Sequence, residues 1–508
     1  MCDNLFSFAE LKSRSKSKFE TFLILLESII TLSVIALIVA FIFTSVIYKR
    51  DICWFIGVLL CVIMWGFAFW KHSTLVSGNK CVDEKDYKYL FFCVLFSGFT
   101  IRLTIAMLLL PKPDNDCATL YYCAQKWSAG DFIETKSIFQ TAFYAFWHWL
   151  AGPSLRLNQI INAALGSLQI IIAYDLARRI FKRGSIAVAA AALTAFHPTF
   201  IYLTLSLYTE LLFGVFLLLS FRAFIIVVER IEQKLYDKQT VIQSIKLAFC
   251  CLCLFYTRPN GLFVIILSLI LLALSIRLSK IGILKVILPN LITIILIMFI
   301  VGLLNVKIVG HFYISSSEDS CWPLLFGSCV ETKGIYSVSD KKLIRNQYYE
   351  MHPEMVGKYV HVHDLAPLIK KEFYRRWREE TSQMIDLAIL KYKSMWGEDD
   401  YWVSWFIAKN DKGSFVQNMD LIQRPAQTIK RIAAVCLACW LILLPGMKST
   451  SRITVLLMLL FIIASVVNHL FVEWSPRYSY PLTVVLSVLA PGILLYCSDR
   501  KSLKKGNN

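Results

Sequence analysis

Residues 206–228 read SLYTELLFGVFLLLSFRAFIIVV, and no charge interrupts them between Glu210 and Arg222. A helix rises 1.5 Å per residue, so a run of about 20 apolar residues crosses the roughly 30 Å of hydrocarbon in a bilayer. Within that slab each peptide group has to find its hydrogen bond inside its own segment. The run has many companions. Working outward from it, the sequence predicts further spans at 21–48, 53–70, 89–110, 157–177, 185–203, 246–256, 261–276, 283–306, 429–446, 453–472 and 479–497. The first of these is too long for the core of a cleaved signal peptide and reads as an anchor.

The whole chain agrees with its densest run. Of 508 residues, 57% are hydrophobic, and the mean hydropathy is +0.59, beyond what soluble domains carry. The formal charge of +18 raises the question of nucleic acid, but the cations sit between apolar runs and form no single patch, so no nucleic-acid partner is expected. They mark sidedness instead. Short loops rich in Lys and Arg stay in the cytoplasm; they include Lys71, Lys80, Lys85 and Lys88, then Arg178, Arg179, Lys182 and Arg183, then Arg230, Lys234 and Lys238. The other side carries two long segments, 111–155 and 309–428.

The expected fold is therefore an all-α integral membrane protein, a multispanning bundle of about 12 transmembrane helices with interfacial helices in two outer loops. Four regions are expected: 1–88, an N-terminal tail and two spans; 89–308, a transmembrane core with its first outer loop at 111–155; 309–428, a large outer loop; and 429–508, the last spans and a basic tail. No repeat of 20 to 50 residues is evident. In the large loop, Leu365, Leu368, Phe373, Trp377, Met384, Leu387, Leu390 and Trp396 recur at helical spacing and predict an amphipathic helix or helix pair, either a lid or a solvated cap.

Most of the 15 cysteines lie in apolar runs, where a thiol packs as a small hydrophobe. Cys321 and Cys329, in CWPLLFGSC, face the outer compartment, where they could be bridged or free; Cys117 and Cys123 share that side. No cofactor is expected. Glu398, Asp399 and Asp400 form an acidic run that suits either a divalent metal or a solvated turn.

Chemistry gathers at the outer ends of the spans. The first outer segment opens PKPDNDCATLYYCAQKWSAGD, bringing Asp114 and Asp116 out where lipid gives way to water, followed by Tyr121 and Tyr122. An aspartate so placed can take a proton from an acceptor hydroxyl; it can equally cap the helix that follows. Later spans add His197 in AFHPTF, Glu210 in YTELLF, Arg258 in YTRPNG and Arg477 in EWSPRYSYP, all toward the same face. Ionisable groups at membrane depth call for partners and a purpose. The arginines suit a phosphate through forked hydrogen bonds, or they snorkel to the interface; Glu210 suits an arginine partner, and His197 a helix-end packing role.

These residues follow one another in a recognisable order: Asp116, Tyr121, Tyr122, Ala124 and Gly130 in DxxxxYYxAxxxxxG, then FYAFWHWLAG, LNQIINAALGSLQIIIAYDLARRIF, AAALTAFHPTFIYLTLSLYTELL, TRPNGL and PRYSYPL. Across most of 89–497 the pattern resembles the GT-C superfamily of polyprenyl-phosphate-sugar glycosyltransferases, which includes dolichyl-phosphate-mannose protein mannosyltransferases and lipid A aminoarabinose transferases. The resemblance implies a catalytic aspartate in the first outer loop, a sugar donor on a polyprenyl monophosphate, and a glycan, lipid or protein acceptor at the outer surface. On matching positions it makes Asp116 the base, Glu210 the polar residue of the TE element, and Arg258 and Arg477 contacts to the donor phosphate. It departs at Cys117, where many members carry an acid, and this leaves the choice between Asp114 and Asp116 open.

Two other classes compete. A lipid-linked glycan polymerase or ligase needs a similar outer site, and a polytopic transporter or flippase also needs a polar cavity, although the paired halves common in transporters are not evident. Outer segments without Asn-x-Ser/Thr, and a tail KSLKKGNN unlike a retrieval signal, favour a bacterial inner membrane with a periplasmic or extracellular site over the ER membrane.

Overall fold

The computed structural model describes residues 84–276, 279–316, 321–358, 360, 362–397 and 447–505. The expected spans at 21–48, 53–70 and 429–446, and the run Glu398, Asp399 and Asp400, lie outside the described residues. Among those described, every regular element is a helix.

The first is α1 (Glu84–Leu108), followed by α2 (Asn115–Ser128) and α3 (Ile138–Ala151), both beyond its C-terminal end, the end termed outer after the sequence expectation. The chain re-enters as α4 (Leu155–Phe181) and returns as α5 (Gly184–Phe196) and the short α6 (Pro198–Tyr202). Then come α7 (Glu210–Glu232), α8 (Lys238–Thr257), α9 (Gly261–Ser275) and α10 (Lys280–Val309). An outer lobe holds α11 (Trp322–Gly327), α12 (Val338–Met351), α13 (Val362–Glu379) and α14 (Thr381–Gly397). The described chain closes with α15 (Ser449–Phe471) and α16 (Tyr480–Lys505).

Six of these helices are long and apolar enough to cross a membrane, or seven counting the bent pair at 184–205. This is the architecture of an integral membrane protein. The helix decoded from 206–228 is its axis: 78% of the apolar window of α7 is buried, against 28% for α10, which turns Leu288, Ile292, Ile295 and Phe299 outward as a lipid-facing stripe. Phe213 and Phe221 of α7 pack on Phe461 of α15.

Three expected boundaries change, each for a local reason. The span expected at 185–203 is broken by a 56° bend between α5 and α6, because Pro198 has no N–H to continue the ladder and holds His197 extended (φ −66°, ψ 121°). The run expected from 206 becomes helical only at Glu210, after Ser206 turns extended (φ −118°, ψ 153°). The short span expected at 246–256 starts eight residues earlier, at Lys238, where Asp237 caps it by accepting from the Thr240 N–H at 3.0 Å.

Breaking a helix inside a bundle leaves carbonyls without partners. Arg102 of α1, fully buried, supplies them: its guanidinium donates to Thr194 O at 2.9 Å, Ala195 O at 2.8 Å and Gly98 O at 3.0 Å. Only glycine leaves room for it on α4, since a Cβ at Gly166 would stand 2.5 Å from Arg102 Nε.

The outer lobe has its own small core, including Trp322, Phe326, Ile344, Leu365 and Ile369. The expected amphipathic pair is α13 and α14, with Leu365, Phe373, Met384 and Leu387 turned inward and Leu390 exposed. Cys321 and Cys329 are free thiols, as are Cys117 and Cys123; Cys329 Sγ donates to Ser337 Oγ at 3.6 Å.

Candidate active site at the outer helix ends

The loop after α1 makes a tight turn before α2. Asp114 caps it, accepting from the Asn115 N–H at 2.8 Å, and Asn115 takes a left-handed conformation (φ 46°). Asparagine tolerates that region better than most side chains. The turn separates the two neighbouring acids: Asp114 is spent on the cap, while Asp116, in the first helical turn, faces the bundle.

There Asp116 meets Arg477, whose Nη2 lies 2.7 Å from its Oδ2, and Lys136, whose Nζ lies 3.3 Å from its Oδ1. Arg477 stands in the one-turn helix Pro476–Ser479 that links α15 to α16. Behind it, Glu210 at the start of α7 holds Arg258 at the end of α8 at 2.7 Å, and its carboxylate lies 3.8 Å from Arg477 Nε. Five residues from five separate segments thus alternate in sign: Arg258, Glu210, Arg477, Asp116, Lys136. The cluster is graded from sealed to open. Side-chain exposure runs from 1% at Glu210 through 13% at Arg477 to 34% at Asp116 and 56% at Lys136.

Tyrosines pack against both guanidinium groups: Arg258 lies 4.5 Å from the Tyr478 ring centroid and Arg477 4.7 Å from that of Tyr208. Such contacts hold a cation flat without neutralising it. Burial works to raise the Asp116 carboxyl, but Arg477 and Lys136 outweigh it and bring its pKa down to about 2. Burial likewise pushes the Cys117 thiol well up, so the residue after Asp116 is a neutral wall.

Of the residues expected at the site, Asp116, Glu210, Arg258 and Arg477 come together. Asp114 is one turn away in the cap. Tyr121 packs edge-on against His148, and Tyr122 is exposed, with Lys126 against its ring. His197 is buried at the bend between α5 and α6 and stacks on Phe200.

Three residues at the site escaped the sequence. Lys136 looks like any loop lysine. Glu473 lies four positions before Arg477, in the field of Arg477, Asp116 and Lys136, and burial raises its carboxyl. Its loop is fastened to the outer lobe by the Glu473 N–H on Pro323 O at 2.6 Å and the Trp474 N–H on Gly334 O at 3.0 Å. The third, Lys391 of α14, is fully buried and donates to Gly327 O, Leu470 O and Val472 O at 2.8–2.9 Å. Burial drives its pKa down to about 7, with partial relief from Glu473.

Lys391 thereby satisfies the last carbonyls of α15 and sets the loop that carries Arg477. Lys391→Met is expected to cost about 2–3 kcal/mol, because three carbonyls lose their donor at about 1 kcal/mol each, less the relief of an unburied charge. Thermal unfolding in detergent, read with Lys393→Met as a surface control, measures this.

No protein-family model matches the sequence, and no curated protein matches it either. Among solved structures the chain is similar to the oligosaccharyltransferase AglB of Archaeoglobus fulgidus in complex with an inhibitory peptide and a dolichol-phosphate (TM-score 0.47, 14% identity, 82% of this chain and 51% of that one). It is also similar to the Archaeoglobus fulgidus oligosaccharyltransferase in complex with Zn and sulfate (TM-score 0.48, 14% identity, 81% and 50%). A third is ArnT from Cupriavidus metallidurans bound to undecaprenyl phosphate (TM-score 0.33, 14% identity, 78% and 77%). The chain spans about half the length of the two oligosaccharyltransferases. Among the described residues no three His, Cys, Asp or Glu side chains are grouped to hold a metal.

Proposed function

We propose that the protein is a membrane glycosyltransferase that moves a sugar from a polyprenyl-phosphate donor to a glycan, lipid or protein acceptor on the non-cytoplasmic face, with inversion at the anomeric carbon. The observation that carries this reading is the convergence of two partly buried arginines on Asp116 and Glu210 at one end of the bundle. The acceptor oxygen attacks C1 of the sugar, the C1–O bond to the phosphate breaks, and the acceptor proton passes to Asp116. The departing phosphate carries away the bonding pair, and Arg477 and Arg258 stabilise it.

The resting geometry sets the order of events. A carboxylate held at about pKa 2 is a poor base. A donor phosphate that draws Arg477 away loosens that grip and lets the proton affinity of Asp116 rise as the leaving group arrives. The bacterial inner membrane with a periplasmic site is the setting we propose.

In proteoliposomes supplied with labelled polyprenyl-phosphate sugar and a cell-envelope lipid extract, label is expected to move to an acceptor with release of polyprenyl phosphate. Movement of intact donor between leaflets without its cleavage would instead establish a flippase.

Glu473 adds a signed pH effect. As an anion beside Arg477 it repels the donor phosphate, and because burial raises its pKa it takes up its proton earlier than an ordinary glutamate as pH falls. The donor KM is therefore expected to fall on acidification below neutral pH, as Glu473 loses its charge. Glu473→Gln is expected to lower KM by about threefold at pH 7, the effect of one screened like charge, and to flatten this dependence.

A further inference from the structure

Directly behind Asp116 the protein carries a polar cleft to which the transfer chemistry above gives no work. Asn158, Gln159 and Asn162, on the first turns of α4, line it together with Cys117, Leu205 and Leu207. The empty volume is about 270 Å³ including its open mouth, and the enclosed end narrows to room for about one water-sized group. Cys117 adjoins Asp116 in the chain and Leu207 leads into Glu210, so the cleft backs onto the charged cluster.

Among the described residues its lining holds no charge. The three carboxamides are buried at 1%, 3% and 1% exposure, and most of their atoms are spoken for. Asn162 Oδ1 accepts from Tyr144 Oη, and its Nδ2 donates to Thr204 O at 3.2 Å and Ser206 O at 2.7 Å. Gln159 Oε1 accepts from Arg156 at 3.1 Å, and Asn158 Oδ1 pairs with His148 Nε2 at 3.0 Å. Asn158 Nδ2 has no hydrogen-bond partner although it is buried. A buried donor left open is costly unless a ligand or water meets it.

A phosphate would seek the arginines, not neutral amides, while a hydroxyl, which both donates and accepts, suits a carboxamide wall. We propose that this cleft receives one hydroxyl-bearing arm of the transferred sugar, with Asn158 Nδ2 donating to it. That arm is then neutral: among the described residues the cleft lining has no carboxylate to pair with an amino sugar and no cation to pair with a uronate. The assignment rests on the glycosyltransfer reading.

The test uses the full-length protein in nanodiscs and compares its affinity for bare polyprenyl phosphate with that for polyprenyl-phosphate glucose and polyprenyl-phosphate mannose. At least one neutral hexose form is expected to bind about tenfold more tightly than the bare lipid. Asn158→Leu, which removes the donor, and Leu205→Phe, which enlarges another lining residue into the cleft, are each expected to erase that advantage while leaving affinity for the bare lipid unchanged. An advantage that survives either substitution overturns the cleft assignment, as does equal loss of both forms in both variants. If the wild type binds neither form, the glycosyltransfer reading itself fails, and the cleft assignment falls with it.

Discussion

Asp116→Asn is expected to slow sugar transfer by about a thousandfold, within the range that a positioned general base contributes, while the protein stays folded. Asparagine keeps the shape of the side chain and can still meet Arg477 through its oxygen, and at 34% exposure the site loses little packing. What it loses is the ability to take up a proton. Donor affinity is not expected to suffer, because Arg477 is freed from the Asp116 charge that grips it at 2.7 Å; the defect falls on kcat. Asp114→Ala, by contrast, removes a helix cap and is expected to cost about 1 kcal/mol of stability and at most about tenfold in rate. The resting ion pair is also robust to acid. Its carboxyl is depressed to about 2 from an ordinary 3.8, so its contribution is complete above pH 3.8 and is lost only as pH falls through 2.

The second large effect is on stability. Glu210 is 1% exposed and lies between two guanidinium groups, so Glu210→Gln strips Arg258 of the carboxylate that holds it and leaves Arg477 with Asp116 alone. Removing one partner of a buried pair costs about 3–5 kcal/mol, enough to lower the melting temperature sharply. Donor affinity would not rescue the loss unless a phosphate were present, and added polyprenyl phosphate is expected to restore part of the melting temperature by standing in for the carboxylate. Glu210→Gln combined with Arg258→Gln is expected to melt above Glu210→Gln alone. If both single and double variants melt like the wild type, the pair is not holding the helix ends.

Much of this could be read from the chain before any coordinates. Apolar runs place helices directly, because lipid leaves the backbone no other partner, and alternation then carries Glu210, Arg258 and Arg477 to one end. Their mutual distances could not be read, since each contact joins helices far apart in sequence. The bend at His197 was hidden because 185–203 is evenly apolar; Pro198 was the available signal. Arg102 went unread for the opposite reason: a single arginine inside an apolar run looks like a flaw, and its purpose appears only when Thr194 and Ala195 turn their carbonyls toward it. Lys391 and Glu473 were likewise lost in a charged outer segment, where burial depends on how the lobe docks. Tyr121 and Tyr122 show the limit of a motif, since adjacent residues on a helix face different ways, and Tyr122 is exposed.

The central claim is that Asp116 and the arginines around it perform transfer from a lipid phosphate. The most direct measurement is the release of polyprenyl phosphate from labelled polyprenyl-phosphate sugar, with label counted in the acceptor fraction, for wild-type and Asp116→Asn protein in the same liposomes at equal folded amount. Wild-type protein is predicted to yield one labelled acceptor per lipid phosphate released, and the variant about a thousandth of that rate. Equal turnover by both, or lipid phosphate released without labelled acceptor, would contradict the account.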